Sequence, residues 1–395
     1  MNVAIVGGGI VGLASAHYLA ERDADVTVYE KGSIGSGSTE RSVGGIRAQY
    51  STRVNVELSL ASMAVWETFE EDFHVDIAYR RPGYLFAARD EATARAFKEQ
   101  VAMQNELGVP SELLSPDEAT EHCPGLRADE FVAATYSPTD GFADPHLALQ
   151  GFAEAARESG AEIRTKTGVE EIHREGGRGT GDGAVTGLTA DSDRHDYDFV
   201  VNAAGPWARR VARMADVDLP VAPKRRQMLV VEPETPVPED VPLTIDLDTG
   251  SHFRPEREGA ALVGGHFAGE EDAGAEPDPD QNPDSFDRKI DLDWAAEAIE
   301  RAADCATYFG PNSQIRRGWA GLYAVTPDHH PVVEETLSGF INAVGFSGHG
   351  FQHAPATGQI VAELVLDGAA SLVDISALGS ERFEEGELVE ERNVA

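Results

Sequence analysis

Hydrophobic positions along the chain fall into short unbroken runs and longer stretches of helical spacing. An apolar run, Val3 to Val6, stops at Gly7, Gly8 and Gly9. Apolar residues then recur at helical spacing (Ile10, Val11, Leu13, Ala14, Ala16, Tyr18, Leu19), and a second run, Val26 to Tyr29, ends on Glu30. Strand, glycine turn, helix and strand follow in that order. Farther on, Val54 to Phe73 reads as a long amphipathic helix and Gly83 to Ala88 as a strand. Asp90 caps a helix reaching Leu107, and Ser115-Pro116-Asp117-Glu118 has the layout of a capped helix start. Phe131 to Tyr136 is strand-like. Gly141 to Pro145 leads into a helix that runs to Ser159 and is ended by Gly160, and Glu162 to Lys166 begins a strand. Phe199 to Asn202 is a second buried run, followed by a glycine turn through Trp207. Gln227 to Val231, Leu243 to Asp246, His252 to Arg254 and Ala261 to Gly264 predict a separate antiparallel sheet, and Leu292 to Ala303 a helix. Strand Phe340 to Val344 feeds a turn with Gly345, Gly348 and Gly350, then a helix with Pro355 in its first turn. Gly176 to Gly183 reads as a mobile polar turn, and Gly269 to Pro283 as an exposed acidic excursion; no internal repeat is visible.

The first thirty residues carry the arrangement a dinucleotide needs. Gly7 permits the tight turn, Gly9 lets backbone approach a pyrophosphate, and Gly12 lets helix and strand pack closely. The helix N-terminus offers unpaired N–H groups to phosphates, and Glu30 is placed to accept from a ribose hydroxyl pair. The small-residue loop Gly32 to Gly45 follows at once and wraps the rest of such a ligand. A nicotinamide enzyme has no need of the second glycine turn at 345–350. A flat isoalloxazine ring does: it can lie on bare backbone, with a helix N-terminus facing the anion it becomes on reduction.

Composition narrows this further. A hydrophobic content of 41% suits a globular chain, and no apolar run approaches the roughly 20 residues of a membrane span. Nothing before Val3 has a signal layout, which points to a cytoplasmic protein. The net charge is −37, and lysine occurs only at 31, 98, 166, 224 and 289. The acids are spread rather than blocked, which suits a high-salt cytoplasm where the Debye length is about 3 Å at 1 M salt. So acidic a chain excludes nucleic acid as a partner. Cys123 and Cys305 lack metal-ligand spacing and read as buried thiols. His329 and His330 form no metal pair, given their T-P-D-H-H-P turn context.

Five motifs together resemble the FAD-dependent amine oxidoreductase family of D-amino-acid oxidase, glycine oxidase and sarcosine oxidase. They are G-G-G-I-V-G (7–12) with Glu30, G-G-I-R-A-Q-Y (44–50), V-V-N-A-A-G-P-W (200–207), W-A-G-L-Y-A-V-T-P-D (319–328) and G-F-S-G-H-G-F (345–351). The resemblance covers essentially the whole chain and is nearest to the β subunits of heteromeric sarcosine oxidase and proline dehydrogenase. It implies an α/β fold: a glutathione-reductase-like FAD-binding Rossmann domain (1–75, 140–217 and 322–380) with an inserted α+β substrate domain (76–139 and 218–321) containing a mostly antiparallel sheet. Residues 381–395 form an acidic tail.

The resemblance places Gly7, Gly9, Ile10, Val11, Gly12, Glu30 and Lys31 on the ADP half of the cofactor. Ser36, Ser38, Thr39, Arg41, Gly44, Gly45, Ile46 and Arg47 lie along the pyrophosphate and flavin, Val169 near the adenine, and Ala204, Gly205 and Trp207 beside the cofactor. Gly321, Gly345, Phe346, Gly348, His349, Gly350 and Phe351 border the flavin. Arg47, His252, His266, Tyr323 and His349 are the catalytic candidates: Arg47 as a charge by the flavin or a clamp on a substrate carboxylate, His349 as a flavin contact, and His252, His266 and Tyr323 around the substrate. Each also has a plainer reading, as an ion-pair partner, a sheet histidine or a core aromatic.

The departures are informative. Gly321 and the G-S-T-E-R stretch stand where relatives carry a covalent flavin link, so FAD is held non-covalently. Leu262 replaces an oxygen-activating lysine and Gln352 a carboxylate-binding one. The implied reaction is oxidation of the C–N bond of a small amine or amino acid (sarcosine, proline, glycine or a D-amino acid) to an imine by hydride transfer to flavin N5. A dehydrogenase is the first reading, with an unknown electron acceptor and partner subunits or a homo-oligomer. An oxidase making hydrogen peroxide is the alternative. A flavin-retaining assembly or accessory protein is the alternative of another class.

Overall fold

The computed structural model describes residues 1–176, 183–267, 279–386 and 388–394. The middle of the turn expected at Gly176 to Gly183, and most of the excursion expected at Gly269 to Pro283, lie outside the described residues.

Strand Asn2–Val6 is central to a six-stranded sheet. The order is Val332–Leu337, Phe340–Val344, Phe199–Asn202, Asn2–Val6, Asp25–Glu30, Glu162–Thr165, parallel except for the Val332–Leu337 edge. The opening run is continuously apolar because both faces of the sheet are covered. Val3 and Ile5 enter a core shared with helices Ile10–Glu21, Arg53–Phe73, Pro145–Glu158 and Gly350–Leu366. Ala4 and Val6 enter another, with helix Ala208–Met214 and a small sheet of Val169–Arg174, Val185–Ala190 and Asp193–Asp196.

Two helices meet at backbone distance: a Cβ on Gly358 would lie 2.7 Å from the carbonyl carbon of Ala14. Trp66 stacks on Phe351 (5.0 Å between centroids) and donates from Nε1 to the Gln352 carbonyl at 2.9 Å, which ties helix Arg53–Phe73 to the C-terminal glycine turn.

The second sheet runs Gln314–Val325, Ala222–Glu232, Ala261–Gly264, Ser251–Pro255, Leu243–Asp246, Tyr84–Ala88, Ala133–Ser137, Glu112–Leu114. It is mostly antiparallel, as expected. The exception is the parallel pairing of Tyr84–Ala88 with Leu243–Asp246, segments distant in sequence. Alternation sorts its side chains. Leu229, Val231, Phe253, Leu85 and Ala87 pack with helix Leu292–Cys305 and the buried Cys123 and Cys305. Arg226, Met228, His252 and Tyr323 line a cavity that the first glycine turn also borders.

The local signals for helix ends are realised. The Asp90 carboxylate accepts from Ala92 N, Ser115 and Glu118 form a capping box, and Asp144 accepts from His146 N and Leu147 N ahead of a helix whose first residue is Pro145. The start of the C-terminal helix differs from expectation. Helix Gly350–Leu366 starts so early that Pro355 is internal rather than in the first turn, where it denies an N–H to the Phe351 carbonyl. Strand Gln314–Val325 runs through residues 321 and 322 without a break.

Candidate functional site

A cavity of about 470 Å³ runs between the two sheets. One end is built on the first glycine turn. Gly7 has φ +116°, and a Cβ there would meet the Ala203 carbonyl oxygen at 2.5 Å; a Cβ on Gly12 would meet the Gly7 oxygen at 2.0 Å. Helix Ile10–Glu21 therefore seats directly on the turn, with no side-chain cap from Gly9. Its Ile10 N–H reaches Thr39 Oγ1 at 3.2 Å. The Glu30 carboxylate is held in place by main chain: Oε2 accepts from Gly8 N (2.9 Å) and Oε1 from Gly32 N (2.6 Å). Beside it Lys31 lies over the Trp207 ring at 3.9 Å. Lys31, Trp207 Nε1 (2.8 Å) and Arg210 (2.6 Å) converge on the Asp284 carboxylate, and these bonds hold its pKa down at about 2.

Along the middle, the loop after Glu30 is joined to the roof. Ser38 Oγ donates to the Leu322 carbonyl at 2.6 Å and Trp319 Nε1 to the Arg41 carbonyl at 3.2 Å. A Cβ on Gly321 would meet the Arg41 side chain at 3.0 Å, so the strand passes closely over the loop.

The other end is the C-terminal turn. Gly345 and Gly348 have φ +76° and +98°, and a Cβ on Gly348 would lie 2.5 Å from the Tyr323 ring. Helix Gly350–Leu366 starts here without a side-chain cap, so its first N–H groups and positive end remain for a ligand. His349 is buried with Nδ1 lacking a hydrogen-bond partner among the described residues, and burial pushes its pKa well below the ordinary histidine value, with the Arg47 charge adding to the effect. Across the cavity burial lowers His252 to about 4, so both rings are neutral at pH 7. Burial raises the Tyr323 hydroxyl, against the opposing charges of Arg226 and Arg47. The Arg47 guanidinium donates to the Gln49 carbonyl (2.6 Å) and to that of Asn393, and stacks on Tyr50 at 3.9 Å.

The arrangement suits a long ligand with a phosphate-bearing end and a flat end. Two helix N-termini without a side-chain cap from their own N-cap residues open on one cavity, each behind a turn that a Cβ would obstruct, and an acid at one end is pre-aimed by backbone. The model of the FAD-dependent oxidoreductase (DAO) family matches residues 2–364. The chain belongs to this family. Over the whole chain it is 31% identical to the Xenopus laevis FAD-dependent oxidoreductase domain-containing protein 1, covering 84% of that protein. It is 28% identical to glycine oxidase of Geobacillus kaustophilus, with 92% of each covered. Among solved structures, L-proline dehydrogenase from P. horikoshii superposes with a TM-score of 0.85 at 33% identity, with 98% of each chain covered.

This oxidoreductase thus has FAD as its cofactor, and most residues expected on sequence grounds border one cavity. Gly7, Gly9, Ile10, Val11, Glu30, Lys31, Ser36, Ser38, Thr39, Arg41, Gly45, Val169, Ala204, Gly205 and Trp207 line it. So do Gly321, Gly345, Phe346, Gly348, Gly350 and Phe351, and the five catalytic candidates Arg47, His252, His266, Tyr323 and His349. Gly12, Gly44 and Ile46 lie off the cavity. Gly12 serves helix–turn packing. Gly44, at φ +75°, passes against the Ala143 carbonyl, and the Ile46 side chain fills the core. Tyr84, Arg226, Met228, Leu243 and Ile245 also line the cavity and were missed. Their only sequence signal is period-2 alternation on strands whose inner face is defined by segments distant in sequence. The arginine at 226 further sits ahead of the expected strand start at Gln227; the strand begins at Ala222.

Proposed function

We propose that this oxidoreductase oxidises the carbon–nitrogen bond of a small amine or amino acid to an imine and works as a dehydrogenase. The observation that carries the reading is the continuity of one cavity from the Gly7 turn, past Arg47, to the Gly345–Gly350 turn beneath Arg226, Tyr323 and His252. Bound FAD supplies a two-electron acceptor for the hydrogen removed with its electron pair from the carbon beside nitrogen.

The chain's own residues bind, orient and keep out water. Gly7, Gly9 and the start of helix Ile10–Glu21 take the pyrophosphate, and Glu30 the adenosine ribose. The start of helix Gly350–Leu366 faces the pyrimidine edge of the ring, where negative charge is stabilised by its N–H groups. Gly321 carries no side chain that could bond the ring, which supports a non-covalent cofactor. Neutral His252 and His349 and the sheet roof favour an uncharged amine, whose lone pair assists removal of the neighbouring hydrogen. Arg47 and Arg226 are the cations facing Tyr323 and suit a substrate carboxylate. The relatives named glycine oxidase and L-proline dehydrogenase support an amino-acid substrate.

Leu262, buried and apolar, stands where the resemblance puts an oxygen-activating lysine, and this favours an acceptor other than oxygen. No helix among the described residues is long and apolar enough to cross a membrane. The spread of exposed acids supports a high-salt cytoplasm, and partner subunits would receive the electrons.

The test is an anaerobic screen of the purified yellow protein in high salt with sarcosine, L-proline, glycine and D-amino acids. Bleaching of the flavin by at least one of them is expected, with little peroxide when air is admitted. Rapid peroxide formation would make it an oxidase, and no bleaching across the panel would leave the accessory-protein reading.

A further inference from the structure

We infer that the segment Glu391–Asn393 is a positioning element of the substrate site, fixing Arg47 for a substrate carboxylate. The inference rests on the amino-acid reading above. Arg47 borders the cavity, is only 5% exposed, and has no Asp or Glu ion-pair partner among the described residues. Its two guanidinium arms are held by carbonyls, one from Gln49 and one from Asn393, and its own carbonyl accepts from Gln352 Nε2 at 2.9 Å. A cation held by neutral acceptors and stacked on Tyr50 has a fixed position, with its charge felt by the buried Asp140 but not closed into an ion pair.

Asn393 is 346 residues away from Arg47, and a dedicated lock keeps it there. Glu391 is fully buried. Its Oε1 accepts from Ser51 N (2.8 Å), Ser51 Oγ (2.6 Å) and Asn393 N (3.0 Å). Its Oε2 accepts from Thr52 N (3.1 Å), Thr52 Oγ1 (2.7 Å) and Asn55 Nδ2 (3.1 Å). Thr52 is the N-cap of helix Arg53–Phe73 and makes no side-chain cap of its own, so the Glu391 anion takes that place at the positive end of the helix. Asn393 Nδ2 donates to the Gln49 carbonyl (3.2 Å), which also receives Arg47, and to Gln100 Oε1 (3.0 Å). Upstream, Arg382 clasps Asp328 at 2.7 Å, and the Asp328 carbonyl accepts from Glu391 N at 3.0 Å.

Six donors saturate the buried Glu391 carboxylate. What it fixes is the 47–52 loop and, through the Asn393 carbonyl, one arm of Arg47. With the lock gone, the loop loses its anion and the guanidinium loses an acceptor. Arg47 can then turn away from the cavity, and a bound carboxylate loses a charge-assisted bond worth about tenfold or more in affinity.

The test uses the FAD-loaded full chain with Glu391→Ala and the closer-shaped Glu391→Gln. Acetate and acetamide serve as probes that cannot be oxidised, their binding read from the visible flavin spectrum. Tryptic cleavage after Arg392 records release of the segment. The acetate dissociation constant is expected to rise about tenfold in Glu391→Ala and less in Glu391→Gln, with acetamide binding and FAD content unchanged. With an oxidisable amino acid, KM is expected to rise and kcat to stay within about twofold. An unchanged acetate constant in a variant whose segment is cut would overturn the inference. So would failure of both variants to take up FAD, which would make the lock a folding feature. The titration needs no turnover, so an inactive amine panel leaves it readable. Equal binding of acetate and acetamide by the parent protein would instead remove the carboxylate role of Arg47, and this inference with it.

Discussion

Asp140 offers a direct measurement of the electrostatics behind Arg47. Its carboxylate is fully buried and accepts from Ala48 N (3.0 Å), Ser137 Oγ (3.2 Å) and Gln49 Nε2 (3.3 Å). Burial nonetheless raises it from 3.8 to about 6, against these bonds and the Arg47 charge. A carboxyl that holds its proton more tightly when folded contributes stability fully below pH 3.8, and that contribution is lost as pH rises through 6. At about 1.4 kcal/mol per pH unit, this shift costs the folded protein about 3 kcal/mol at pH 7.5 relative to pH 3.5. Asp140→Asn keeps an oxygen for Ala48 N and cannot ionise. The difference in stability between parent and variant should therefore change by about 3 kcal/mol across that interval. For a chain of this length that is about 4 °C in melting temperature. Thermal unfolding of both proteins at matched ionic strength from pH 3.5 to 7.5 checks it, and subtraction removes the pH response of the acidic surface they share. Parallel curves would refute the reasoning, because they would mean that Asp140 titrates alike in the folded and unfolded chain.

Two further outcomes follow from the cavity ends. Gly348→Ala puts a Cβ at φ +98° and 2.5 Å from the Tyr323 ring; a loss of roughly 2–5 kcal/mol of stability and weaker FAD uptake are expected, measured by melting and by FAD titration of the apoprotein. Asp284→Asn leaves Lys31 and Arg210 without their shared anion. Because all three are about half exposed, FAD dissociation should quicken only about three- to tenfold, and the gap from the parent should narrow in high salt, as followed by recovery of flavin fluorescence.

What the sequence disclosed was local chemistry. Gly7 to Glu30 were legible because a turn with positive φ, a helix start and a strand-end acid leave their marks within one stretch of chain. The caps at Asp90 and Ser115 were legible for the same reason. Tyr84, Arg226 and Met228 were not, because which face of a strand looks inward depends on a sheet assembled from segments that are distant in sequence, one pair of them parallel. Glu391 was the least legible. In a chain with 69 acidic residues, another glutamate near the end reads as solvated, and its donors, Ser51, Thr52 and Asn55, are more than 330 positions away. Pro355 was misplaced by a few residues because the glycines before it conceal where the helix begins.

The backbone contact of Ala14 with Gly358 bears on how the protein is made. The helices it joins begin at opposite ends of the cavity, and Phe340–Val344 is an inner strand of the same sheet as Asn2–Val6. A nascent chain therefore has no complete pocket until residues near 366 have left the ribosome. Prosthetic-group capture becomes a late event that reports completed synthesis, and any product arrested before that point emerges colourless.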